Sequence, residues 1–87
     1  MTYQAPPGAG GRTFIIYCNF EGVGGDLSQF TATGFDPLQN CADTCSNTAG
    51  CVSAGFDVTG SNICYMKSQA NPMTSDGTRD TIRLPGY

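Results

Sequence analysis

Five cysteines and no histidine set the chemistry open to this chain of 87 residues. Cys41 and Cys45 are four apart, Cys51 follows shortly, and Cys64 lies further on. Such a set can oxidise to disulfides or hold zinc as thiolates. Zinc fits poorly, because Cys51 and Cys64 make no second close pair, and no metal or cofactor is expected. Disulfides persist in oxidising compartments, so the cysteines point to a secreted, extracellular protein. A second chemistry is recognition. Tyr65 and Lys67 flank Met66 on a strand-like run and so project from one face. A ring beside a cation suits a sugar: the ring stacks on C–H faces while the ammonium bonds hydroxyls. Asp57 on the preceding strand can complete the polar set, and Asp26 follows two glycines that can shape a ligand loop. Each has a plainer use. Tyr65 can pack into the sheet, Lys67 can solvate an edge, and both aspartates can close turns.

Other chemistry is poorly served. Without histidine there is no Ser-His or Cys-His nucleophile pair, and the carboxylates form no dyad evident in sequence, so catalysis is not expected. The stretch Asp57–Asn62 lacks the terminal Glu and acidic density of a calcium loop. Arg12, Lys67, Arg79 and Arg83 form no basic cluster, and the net charge is -3. Nucleic acid and anionic lipid are therefore poor partners. No apolar run reaches the roughly 18 residues of a membrane-spanning helix, so membrane insertion is not expected.

These residues need elements to hold them. Residues 1–11 are rich in Pro and Gly without apolar periodicity, and read as a flexible tail or linker to a longer modular polypeptide. A single domain then spans 12–87. Arg12–Cys18 reads as a first strand, residues 21–26 as a Gly-rich loop, and Leu27–Thr33 as a short strand. Asp36 fits an N-cap, Pro37 the first helical position, and Gln39 the third residue of a capping box. Leu38, Cys41, Ala42 and Cys45 then form one apolar stripe. A helix of about ten residues cannot stand alone in water, so packing and disulfides must fix it. Cys51–Val58 alternates, with Val52, Ala54, Phe56 and Val58 on one face. Residues 59–62 suit a hairpin connection to Ile63–Lys67. Residues 68–77 read as a loop, and Arg79–Leu84 as a closing strand.

Spacing alone leaves the pairing of five cysteines open, but geometry narrows it. Helical cysteines four apart run parallel and rarely bridge each other. Cys45, at the helix end, can meet Cys51 across a short loop, which leaves Cys41 for Cys64. Cys18 is then a free thiol. Burial in the first strand is the plainer expectation, and a bridge to a second chain is the alternative.

The order of these pieces resembles the PAN/apple superfamily. Tyr17-Cys18, Gly24-Gly25-Asp26-Leu27, Cys41 with Cys45, and Cys64-Tyr65-Met66-Lys67 follow the pattern of its fungal secreted and cell-wall branch. The resemblance covers about residues 13–84. It implies a small α+β fold, with one short helix packed on a curved antiparallel sheet and disulfides from helix to strand. It also implies that the further bridge joining the chain ends in some relatives cannot form here, since no C-terminal cysteine exists. Such domains act as non-catalytic recognition modules. The expectation is carbohydrate binding at a cell wall or surface. The alternative is protein–protein adhesion or self-assembly, including a homo-oligomer cross-linked through Cys18.

Overall fold

The computed structural model describes every residue except Val23. Six strands and one α-helix follow in chain order: β1 Thr2–Gln4, β2 Thr13–Gly22, β3 Asp26–Thr31, α1 Pro37–Ser46, β4 Ser53–Asp57, β5 Ile63–Lys67 and β6 Met73–Arg83. They build one sheet in the order β1-β2-β6-β4-β5-β3, with antiparallel pairing throughout. One helix packed on this sheet, with two disulfides, makes a small α+β domain.

Local chemistry explains the helix. Asp36 takes an extended backbone and its carboxylate accepts the N–H of Gln39, while Pro37 occupies the first turn. Cys41, Ala42 and Cys45 are buried on the face that meets the sheet. Beneath them lie Phe14, Ala32, Ala54, Phe56, Met66 and Ile82. Disulfides Cys41–Cys64 and Cys45–Cys51 lie in this core, and all four cysteines are fully buried. One bridge ties the helix to β5. The other closes the turn between helix and β4.

Three readings of the sequence are corrected. Residues 1–11 were expected as a tail, but Thr2–Gln4 pair with β2 and Ala5 is fully buried. The Tyr3 hydroxyl donates to Asp43 on the helix at 2.7 Å. A short 3-10 turn, Pro7–Ala9, then reverses the chain through Gly10, whose φ is 92°. A β-carbon there would run into Ser46, so the position requires glycine on two counts.

Second, β2 and β6 are longer than their apolar runs. Phe20, Glu21 and Gly22 pair with Ser75, Thr74 and Met73, beyond an irregularity at Asn19 with φ 63°. Residues 73–77, expected in a loop, therefore belong to β6. Backbone hydrogen bonds suffice for this ribbon, so its sequence needs no alternation. Third, Val58 was placed with Ala54 and Phe56 on the apolar face. It lies past the end of β4 and is 42% exposed.

Candidate functional site

The sheet face away from the helix carries the polar chemistry. Every residue of β4 is buried, including Ser53 and Asp57, so this face is covered as well. Its cover is made of side chains. A β-carbon on Gly55 would lie 3.2 Å from Glu21 Oε1 and 3.8 Å from Lys67 Cε, which shows both chains lying across the middle of the sheet. Glycine at position 55 leaves them room. The Ser53 hydroxyl donates to the Gln69 carbonyl at 2.9 Å, tying the segment before β6 to the same face.

The four residues singled out from sequence separate into two groups. Asp26 pairs with Lys67 in register across β3 and β5, and the ammonium lies 2.6 Å from Asp26 Oδ1. It also donates to the Gly24 carbonyl at 3.3 Å. The Lys67 side chain is 6% exposed, so its charge is committed inside the chain. Here the lysine fastens a loop.

Asp57 and Tyr65 form the second group around Arg79, which pairs with Asp57 across β4 and β6. The Arg79 guanidinium lies 4.6 Å above the Tyr65 ring. Its Nε reaches Glu21 at 2.8 Å, and Nη1 reaches Asp57 at 3.4 Å. Burial works against the charge of Arg79, yet Glu21, Tyr65 and Asp57 outweigh it and raise its pKa. Asp57 is held well below the ordinary carboxylate range, at about 2. The hydroxyls of Ser61 and Thr59 do most of this, followed by the Thr59 N–H and, last, by Arg79. Both ions keep their charge at neutral pH. The cluster remains partly open to solvent, with side-chain exposures of 21% for Arg79, 15% for Glu21 and 13% for Asp57. It presents a planar cation, two carboxylates and an aromatic ring in fixed geometry.

Arg79 and Glu21 were missed as site residues. A signal existed: Arg79, Thr81 and Arg83 alternate with Asp80, Ile82 and Leu84, which marks a polar face opposite an apolar one. Arg83, on that polar face, donates to the Asn71 carbonyl, while its Nε has no partner among the described residues. Burial lowers its pKa.

Cys18 is corrected too. It is free and exposed, not buried. It follows Phe14 and Ile16 at alternate positions, but the helix ends its cover near Ile16, where Asp36, Leu38, Gln39 and Ala42 border a small cleft with Tyr3, Ile16 and Ile82. A more open cleft of about 260 Å³ lies between the 3-10 turn and the helix, lined by Gly8, Ala9, Asp43, Thr44, Asn47 and Thr48. Neither cleft contains the residues proposed from sequence.

No individual curated protein matches the chain. Residues 13–84, the span that contains β2 through β6, the helix and both disulfides, match the family model for the PAN domain. The chain therefore belongs to the PAN domain family, whose members are generally non-catalytic modules that bind protein or carbohydrate.

Proposed function

We propose that the chain is an extracellular recognition module that binds carbohydrate at a cell wall or surface through the face centred on Tyr65 and Arg79. The observation that carries this reading is the arrangement of Arg79 on the Tyr65 ring, between Glu21 and Asp57. Neighbouring sugar hydroxyls are matched by a planar set of donors beside fixed acceptors, and the Tyr65 ring beneath Arg79 holds that planar cation in place. Because the groups already hold one another, little ordering remains on binding. Lys67 and Asp26 act one step behind, fixing the loop that borders the site. The buried disulfides support an oxidising, extracellular setting. The Gly24-Gly25-Asp26-Leu27 and Cys64-Tyr65-Met66-Lys67 stretches support the fungal cell-wall branch.

A glycan and polysaccharide array on the oxidised protein tests the reading. Selective, saturable binding is expected, with loss in Tyr65→Ala and Arg79→Gln variants that keep the disulfides and a cooperative unfolding transition. A blank array across cell-wall and animal glycans would sink it and leave protein as the ligand class.

A further inference from the structure

The two outer strands of the sheet differ. β1 is three residues long and is blunted by its brevity. β3 is six residues long, pairs among the described residues with β5 alone, and is exposed at five of its six positions. Its sequence, Asp-Leu-Ser-Gln-Phe-Thr, holds no Pro and no Lys, the residues that commonly protect an edge. The register irregularity between Asp26 and Ser28 lies at its start and leaves Ser28 to Thr31 straight.

Pairing geometry tells which backbone groups are free. The Ala32 N–H donates to the Asn62 carbonyl at 2.7 Å, so Ala32 and, in phase with it, Phe30 and Ser28 face β5. The N–H and C=O of Gln29 and Thr31 point the other way. Among the described residues they have no backbone partner.

We infer that β3 is a docking edge for a second copy of the chain, paired antiparallel about a two-fold near Phe30. This register sets Gln29 of each copy against Thr31 of the other, so outward N–H and C=O groups meet reciprocally. A two-fold interface must be self-complementary, and this one is. The chain carries a net charge of -3, yet no charged residue lies between Asp26 and Asp36. Asp26 itself is paired with Lys67. Two copies therefore meet here without opposing like charges, which is not true of a chance contact between acidic surfaces. Apolar ends add to the fit. Leu27 is 46% exposed and Phe35 fully exposed, at opposite ends of the edge, so antiparallel pairing brings Leu27 of one copy toward the Phe35 end of the other. This inference is independent of the Tyr65–Arg79 reading.

The test uses the full chain with Cys18→Ser, which removes disulfide-linked dimers. Sedimentation equilibrium from micromolar to millimolar concentration is expected to show a monomer–dimer equilibrium. Amide hydrogen exchange at Gln29 and Thr31 should slow as the dimer forms. Thr31→Lys sets two cations near the two-fold, and Thr31→Pro removes an outward N–H without touching the bonds to β5. Both should abolish the dimer while exchange at Ala54 and Ile82 stays protected. A chain that remains monomeric at millimolar concentration overturns the inference, and leaves the edge to another partner. So does a dimer whose Gln29 and Thr31 amides exchange as fast as in the monomer.

Discussion

Arg79 spans the sheet by standing on Tyr65: its guanidinium carbon lies 4.6 Å from the ring centroid while its nitrogens reach Glu21 and Asp57. The four residues come from β6, β5, β2 and β4, so one side chain joins strands that are far apart in sequence. All four strands are consecutive in the sheet, in the order β2-β6-β4-β5, and Glu21 arrives because β2 continues past its irregularity at Asn19. The same contact that orders a ligand platform therefore also holds the long β2–β6 ribbon over the polar face.

Replacing Arg79 should consequently cost stability as well as binding. Arg79→Ala takes from the partly buried Glu21 its 2.8 Å ion pair and from Asp57 a weaker contact at 3.4 Å, and is expected to destabilise by about 2 kcal/mol. A double-mutant cycle with Tyr65→Leu should return a coupling of roughly 0.5–1 kcal/mol for the cation–ring contact. Arg79→Lys should recover little, since an ammonium cannot both stack and bond two carboxylates. Urea midpoints measure all three. Equal stability of Arg79→Ala and the parent chain would remove Arg79 from this role.

Asp57 gives the fold a dependence on acid. Its carboxyl is held at about 2, against an ordinary value of 3.8, chiefly by Ser61 and Thr59. A group with a depressed folded pKa stabilises above its unfolded value and loses that contribution as pH falls through the folded one. Stability should thus decline between pH 3.8 and about 2. Asp76 is lowered in the same sense by Thr78 and adds to the slope. The decisive comparison is Asp57→Asn, whose unfolding midpoint should fall less steeply across this window than that of the parent chain.

The two disulfides should be unequal. They close stretches of 23 residues for Cys41–Cys64 and 6 for Cys45–Cys51. On the loop-entropy model these are worth roughly 3 and roughly 2 kcal/mol. Paired Cys→Ala substitutions, followed by thermal unfolding, should rank the helix-to-β5 bridge as the costlier loss. The reverse order would mean that the short bridge acts mainly in the native state, by fixing the end of the helix.

Lys67 separates a fastening role from a gripping one. Its buried ammonium meets Asp26, which is itself 53% exposed, so the pair is screened and its net worth is small. Lys67→Met keeps the packed stem and should unfold within about 1 kcal/mol of the parent. Lys67→Ala should cost more, because the stem that covers Gly55 is lost with the charge. Ligand affinity should change in proportion to loop disorder near Gly24, measured by hydrogen exchange, and not with the charge itself.

Which parts of this molecule can be read without coordinates follows from how local their causes are. The helix is written in adjacent residues: the Asp36 cap, Pro37, and cysteines on one face. β4 and β5 announce themselves by composition. The second half of β2 and the first half of β6 do not, because a polar ribbon is held by backbone pairing that any sequence can make. Arg79 could be placed on a polar face, yet its meeting with Glu21 depends on the register of β2 against β6 and on the irregularity at Asn19. Cys18 continues an apolar alternation, and only the position of the helix end decides that it is left uncovered.

The N-terminal segment yields the last prediction. Pro and Gly made residues 1–11 look unstructured, since composition does not report a docked edge strand. Yet Thr2–Gln4 pair with Thr13–Ile15, the Ala5 N–H donates to the Arg12 carbonyl at 2.8 Å, and Tyr3 bonds Asp43 on the helix. Burial and the bond to Asp43 raise the pKa of Tyr3, so its neutral form is the one the fold holds. Tyr3→Phe removes the hydroxyl alone and should cost about 1 kcal/mol. Deleting residues 1–11 should cost several times more, because it uncovers Phe14 and removes the wall that Gly10 makes against Ser46. Chemical denaturation of both variants checks the ratio. If the truncated chain unfolded at the parent midpoint, the segment would be an accessory to the domain, and the PAN unit would be complete from β2 onward.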